Sequence, residues 1–125
     1  MNKENKIIIA GVEYVPKSEA VKEKAVSLKG LKYAIVRTYS AGVFAGYIQS
    51  KKGKEVVMIN VRKLWYWDGA ASLAELAVEG VSKPATCKFP CEVERIELTE
   101  AIEILDCTKK AQESIKNVPI WSAKE

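Results

Sequence analysis

A chain of 125 residues, 48% of them hydrophobic and 29% charged, fits one globular domain, which we place over residues 1–125. The formal net charge of +4 comes mainly from lysines interspersed with acidic residues, a pattern typical of a solvated surface, and it argues against long nucleic acid as a partner. The sequence has no histidine, which removes the commonest general base and metal ligand, and it has no apolar run long enough to span a membrane.

The N-terminal quarter of the sequence predicts a strand and a helix. Residues 6–15 are rich in β-branched side chains and predict a strand, in which Gly11 permits a bend. Ser18 is expected to cap a helix that runs to about Leu28, with Ala25 on its apolar stripe.

The middle of the chain predicts a β-meander. Three strand-like runs, at residues 32–39, 43–50 and 54–67, are separated by short connections that each contain a glycine. Such connections favour antiparallel hairpins. The alternation of side chains leaves neither face purely apolar, so we expect part of each face to meet a second subunit or a ligand.

The C-terminal half predicts further strands and two short helices. Residues 72–75, with the sequence Ser-Leu-Ala-Glu, have the pattern of a capping box and open a helix that Gly80 closes. The remaining predicted elements are a loop at residues 82–90, strands at 91–98 and 101–105, and a helix that Thr108 caps and Pro119 stops. The predicted fold class is therefore α+β, an antiparallel meander with two to three short helices.

An aromatic segment provides the first candidate ligand contacts. Residues 62–72 bring Arg62, Trp65 and Trp67 close to a helix N-terminus. Aromatic faces can stack on a base, and a guanidinium can hold a phosphate. Packing of the aromatic rings in the core or in a dimer interface is the alternative.

A glycine-bearing turn provides the second group of candidates. Arg37, Tyr39 and Ser40 stand at the end of a predicted strand, just before Gly42. Hydroxyl and backbone N–H groups at a turn suit a phosphate or a ribose. An ordinary hairpin with a surface arginine is the alternative.

The cysteines and carboxylates do not indicate chemistry. Cys87, Cys91 and Cys107 are too few for a structural zinc site or a disulfide framework, which fits a reducing compartment such as the cytoplasm. The glutamates between residues 92 and 103 recur like a solvated edge. We expect no metal, no cofactor and no catalytic residues.

Four segments carry a resemblance to known proteins: residues 33–47, residues 53–57, residues 64–73 with their Trp-Tyr-Trp block, and Cys87-Lys88-Phe89. Through them, residues 32–115 resemble an uncharacterised family of small phage and prophage proteins. The chain also looks like the first family of Thoeris anti-defence proteins, which are viral sponges that sequester cyclic ADP-ribose isomers made by bacterial TIR enzymes.

The second resemblance implies a function and a kind of site. In that family a homo-oligomer holds the ligand at subunit interfaces, with arginines on the diphosphate and an aromatic ring on adenine. The ligand is not degraded. Some members also bind cyclic oligonucleotides. The expected function is sequestration of a nucleotide-derived immune signal, and the alternative is a phage accessory protein that inhibits a host protein by direct contact. The candidate ligand-binding residues are Arg37, Tyr39, Ser40, Arg62, Trp65, Trp67 and Phe89.

The mixed strand faces and the three tryptophans predict a dimer or a higher even-numbered oligomer, because they exceed what a core of this size needs. Light scattering at micromolar concentration should give at least twice the protomer mass of 13.9 kDa. A clean mass at the protomer value would contradict this prediction.

Overall fold

The computed structural model describes residues 7–9, 12–14 and 23–123. Two short strands form a separate antiparallel pair, β1 (Ile7–Ile9) and β2 (Val12–Tyr14). The main sheet contains β3 (Tyr33–Thr38), β4 (Val43–Lys52), β5 (Glu55–Lys63), β6 (Val93–Leu98) and β7 (Ala101–Asp106). The helices are α1 (Leu73–Glu79) and α2 (Lys109–Asn117), with a 3-10 turn at Pro84–Thr86. The predicted α+β class is confirmed, and no helix in the described ranges is long and apolar enough to cross a membrane.

The main sheet is antiparallel throughout, in the order β6-β5-β4-β3-β7. The predicted meander therefore holds from β3 to β6, whereas β7 joins the opposite edge although only two residues separate it from β6. In that connection Ala101 N–H donates to the Lys54 carbonyl at 3.0 Å, and the Glu100 carbonyl accepts from Tyr39 N–H at 2.9 Å. Such a short link between opposite edges requires the sheet to coil until its two edge strands approach each other.

The coiling of the sheet is concentrated in β4 and β5. The β4–β5 register shifts between Ala45 and Tyr47 and again further along β4, and bulges of this kind increase the local twist. Asn60, on β5, has a positive φ of 47°. At Gly46 the two strands come so close that a Cβ atom there would lie 2.7 Å from the Val61 Cβ. Glycine is required at this position because any side chain would clash with Val61, and not because the backbone has a positive φ.

Apolar side chains are packed on both faces of the sheet. One cluster lies between the sheet and the two helices and contains Ile35, Leu76 and Phe89, each fully buried. The other lies inside the coiled sheet and is centred on Val36 and Met58. The chain itself therefore covers much of both faces, and the expectation that part of each face meets a second subunit or a ligand stays a prediction.

Two of the three predicted helix caps are present, and the third, Ser18, lies outside the described residues. The Ser72 hydroxyl accepts from Glu75 N–H at 3.1 Å, and the Glu75 carboxylate accepts in turn from Ala71 N–H at 2.8 Å. The Thr108 hydroxyl accepts from Ala111 N–H at 3.0 Å. Each cap satisfies an N–H group that the first helical turn leaves unpaired, so both helices begin where the sequence predicts.

The predicted helix ending at Leu28 is absent from residues 23–28, and its first residues lie outside the described part of the chain. This segment is extended: Ala25 N–H donates to the Cys107 carbonyl, and the buried Gln112 amide bonds both the N–H and the carbonyl of Val26. Ala25 and Leu28 still pack on the core, so the sequence identified the apolar residues but assigned them the wrong conformation.

Two predicted strands differ in their limits. The strand predicted for residues 54–67 ends at Lys63, after which Leu64 N–H still donates to the Val43 carbonyl. The tryptophans at 65 and 67 therefore lie beyond the strand. The single strand predicted for residues 6–15 is instead the pair β1 and β2.

The close approach at Gly46 generates a stability prediction. In Gly46→Ala the new methyl group collides with backbone and side-chain atoms of Val61, so the free energy of unfolding should fall by about 1–3 kcal/mol, the usual cost of overpacking. The matched control is Gln49→Ala, an exposed position on the same strand, which should stay within about 0.5 kcal/mol. Equal urea midpoints for the two variants would show that the sheet is not coiled tightly at this point.

Candidate functional site

Four exposed or half-buried side chains gather where three chain segments meet, and we call them the aromatic platform: Trp65, Tyr66, Lys88 and Trp121. The segment after β5 pairs with the 87–91 loop, because Tyr66 and Lys88 exchange two backbone hydrogen bonds at 2.7 and 3.3 Å. The tail after α2 joins the same loop, since Trp121 N–H donates to the Phe89 carbonyl at 3.0 Å. The platform is thus held together by backbone contacts between its three segments.

The geometry of the platform is a stacked indole pair with a cation at its side. The rings of Trp65 and Trp121 are nearly parallel, at 13°, with centroids 5.2 Å apart. The Lys88 ammonium lies 5.4 Å from the Trp65 ring, 5.7 Å from the Trp121 ring and 5.8 Å from the Tyr66 ring. The ammonium is therefore within cation–π distance of all three rings at once.

The platform exposes an unusual amount of aromatic surface. Trp65 is 54% exposed, Tyr66 47% and Trp121 43%, and the adjoining Ile120 is 64% exposed. Single exposed apolar residues are normal on a protein surface, but a contiguous aromatic group with a cation is typical of a binding surface. This is the arrangement that a planar, negatively charged ligand would use.

Arg62 does not reach this surface, although its position beside aromatic residues in the sequence predicted a ligand contact. Its side chain is 5% exposed, and its N–H groups donate to backbone carbonyls: to Phe89 at 2.7 Å, Ile115 at 2.8 Å, and Pro90 and Val118 at 2.9 Å each, with a fifth contact to Pro119 at 3.5 Å. The expectation that Arg62 binds a phosphate is corrected for this reason: the guanidinium is buried and its donors are already used.

Burial gives Arg62 an electrostatic role beneath the platform. Desolvation lowers the pKa of Arg62, and the nearby Tyr33 and Glu92 act in the opposite sense, but a guanidinium stays protonated in proteins. Its hydrogen-bond acceptors in the described part of the chain are neutral carbonyls rather than carboxylates. Its positive charge, which the nearby Glu92 carboxylate partly offsets, lies on the same side of the molecule as Lys88.

Phe89 and Trp67 belong to the core rather than to the exposed surface. Phe89 is fully buried, with the Arg62 guanidinium 5.5 Å from its ring centroid, so it has no face to offer a ligand, and its expected role is corrected. Trp67 is partly buried and packs against the core cluster between the sheet and the helices. Of the three aromatic candidates from these segments, Trp65 is the one that the structure places on the platform.

Arg37, Tyr39 and Ser40 lie at the end of β3, among acidic residues. Arg37 forms an ion pair with Glu103 at 2.7 Å, and the Ser40 hydroxyl donates to the Glu100 carboxylate at 3.3 Å. Tyr39 is 77% exposed. Neighbouring carboxylates disfavour an anion here, in contrast to the platform, where the near charge is positive. A ligand-binding role for these three residues stays a prediction.

Two of the three thiols, those of Cys87 and Cys107, are buried, whereas Cys91 is exposed. Burial, with a smaller contribution from the Asp106 carboxylate, raises the pKa of the Cys107 thiol to about 12, so it is not a nucleophile near neutral pH. The buried Cys87 sulfur accepts from Asp68 N–H at 3.3 Å, a structural contact. Among the residues with described positions, no group of three or more cysteine and carboxylate side chains could hold a metal ion.

The candidates from the sequence missed Lys88 and Trp121, and they left out Tyr66 although it lies within the aromatic segment 62–72. A signal existed for Lys88, because Cys87 and Phe89 on either side of it are apolar and an alternating segment directs the middle residue outward. Trp121 follows the helix-stopping Pro119 in a polar tail, where a tryptophan has no helix to pack against. Nothing in the sequence indicated that these distant segments meet.

A family model described as a domain of unknown function (DUF6948) matches residues 31–115. The matched region includes Arg62, Trp65, Tyr66 and Lys88, and it ends before Trp121. Comparison with curated proteins and comparison with solved structures each found no match.

The stacked indoles should give an exciton couplet in the far-ultraviolet circular dichroism spectrum, because their transition dipoles are close enough to couple and can be skewed relative to each other within the two ring planes. In Trp121→Ala the couplet should disappear while the melting temperature changes little, since the side chain is partly exposed and lies outside the two core clusters. Tyr39→Ala, which removes a more exposed aromatic ring elsewhere, should keep the couplet. A couplet unaffected by Trp121→Ala would rule out the stack.

Proposed function

We propose that this protein, which belongs to the DUF6948 family of domains of unknown function, binds a small nucleotide-type ligand at the aromatic platform. It sequesters the ligand without degrading it. One observation supports the proposal above all: an exposed indole stack, Trp65 on Trp121, with the Lys88 ammonium beside it.

Each part of a nucleotide has a matching group on the platform. A base can stack on an exposed indole face, which contributes about 1–3 kcal/mol per base. A phosphate joined to that base can reach the Lys88 ammonium, 5.4 Å from the Trp65 ring centroid, and a hydrogen bond to a charged group contributes about 1.5–3 kcal/mol. The buried charge of Arg62 attracts the same anion through the protein.

These magnitudes limit what one platform can do. One stacked base and one charged contact together give roughly 3–6 kcal/mol, which corresponds to a dissociation constant no tighter than tens of micromolar. Sequestration of a signalling molecule needs tighter binding. We therefore propose that a second protomer completes the site, so that one ligand contacts two platforms, as the predicted oligomer would allow.

The identity that we propose for the ligand is based on the sequence resemblance. The ligand is a nucleotide-derived immune signal, a cyclic ADP-ribose isomer or a cyclic oligonucleotide, and the protein is a phage anti-defence factor in the host cytoplasm. Such a role requires affinity and no acid–base machinery. The raised pKa of Cys107 and the structural contacts of Cys87 agree with a non-enzymatic role.

A second candidate function is inhibition of a host protein by direct contact. Ile120, 64% exposed beside Trp121, supports it, because a purely nucleotide-binding platform has no need of an exposed aliphatic side chain at its edge. Tryptophan and tyrosine are also the commonest energetic anchors of protein interfaces.

Calorimetry with ADP and with cyclic ADP-ribose tests the primary proposal. Trp65→Ala should weaken binding by about 5- to 100-fold through loss of stacking, and Lys88→Ala by about tenfold or more through loss of charge. The matched control is Arg95→Ala, which removes a surface cation held by Glu97 at 2.6 Å on β6 and should leave the affinity unchanged.

The outcomes separate the candidates. Binding of either nucleotide that Trp65→Ala weakens, with the compound recovered intact after the protein is denatured, supports sequestration. No heat with either nucleotide, alongside capture of one host protein that Trp121→Ala abolishes, supports the second candidate. Recovery of a hydrolysed nucleotide would contradict a non-enzymatic role.

A further inference from the structure

We infer that Arg62 is the positioning residue of the aromatic platform: it touches no ligand, but it holds in one arrangement the three chain segments that supply the platform's side chains. The inference rests on the proposed function for its effect on binding, whereas its structural part can be tested without any ligand.

The contacts of Arg62 reach every segment of the platform. Arg62 is itself on β5, three residues before Trp65. Its Nε and Nη2 atoms donate to the carbonyls of Pro90 and Phe89, in the loop that carries Lys88. The same guanidinium thus fixes the loop relative to the strand end.

The remaining guanidinium nitrogen of Arg62, Nη1, fixes the tail that follows α2. The Nη1 atom donates to the carbonyls of Ile115 and Val118, at the end of α2, and Nη2 also lies 3.5 Å from the Pro119 carbonyl. Trp121 follows two residues later. The helix end leaves its last carbonyls without intrahelical partners and carries a partial negative charge, so a buried cation is favourable there.

Only arginine has the donors for this arrangement. Its five N–H groups lie in one plane as a rigid fork, and here four of them make contacts of 2.7–2.9 Å to carbonyls from two separate segments. Lysine keeps the charge but has three donors on a single nitrogen atom, so it cannot span the same carbonyls. An arginine that merely stabilised the core would not need to join these particular segments.

The experiment compares folded variants by two readouts, the indole couplet and ADP affinity. Arg62→Lys and Arg62→Met should lose the couplet and weaken ADP binding at least tenfold, because Trp121 and Lys88 are no longer fixed against Trp65. The matched control is Met58→Ala, a fully buried truncation in the cluster on the other face of the sheet, which should lower the melting temperature but keep both readouts.

The outcomes distinguish this inference from the proposed function. Loss of the couplet in the Arg62 variants supports positioning even where wild-type protein binds no ADP, a result that would count against the proposed function alone. Folded Arg62 variants that keep the couplet would overturn the inference, as would full rescue by Arg62→Lys or equal loss of the couplet in Met58→Ala.

A measurement on wild-type protein tests the same inference if the Arg62 variants do not fold. Native-state hydrogen exchange should show the Arg62 Nε–H and the Trp121 amide N–H opening together, with the same dependence on denaturant, because they belong to one assembly. A Trp121 amide that exchanges freely while the Arg62 Nε–H stays protected would overturn the inference.

Discussion

The buried guanidinium of Arg62 is the contact on which the functional surface depends. A cation that is 5% exposed is stable only when its desolvation is offset, and four short hydrogen bonds to carbonyls provide this. The carbonyls belong to the 87–91 loop and to the end of α2, which the sheet alone would not bring together. Burial of one charge therefore fixes the relative positions of the three segments.

The coiling of the sheet places the Arg62 guanidinium against the end of α2. Because β7 joins the edge opposite β6 after only two residues, the sheet curls over its own apolar cluster and leaves the other face to the helices. Arg62 points to the helix face and meets the end of α2 there. Beyond Lys63 the strand ends, so Trp65 and Tyr66 leave the sheet at its rim and become exposed.

Local signals in the sequence were sufficient for most of the elements but not for the site. The capping residues Ser72 and Thr108 and the glycine-bearing turns of the meander act within a few residues of chain, and the helix starts at these two caps are confirmed. Residues 23–28 were misassigned because their conformation is decided by Gln112, far along the chain. For the same reason Arg62 and Phe89 were taken for ligand contacts: composition shows an arginine near aromatic rings, whereas burial depends on long-range packing.

The central claim is that the indole stack at the platform, and no other tryptophan, receives the ligand. The most direct test follows the indole Nε1–H signals of the three tryptophans by NMR while ADP is added. We expect the signals of Trp65 and Trp121 to shift together and saturate at one concentration, while the signal of Trp67, packed on the core, stays in place. Saturable shifts confined to Trp67 or to the backbone around Tyr39, with the stacked pair unmoved, would contradict it.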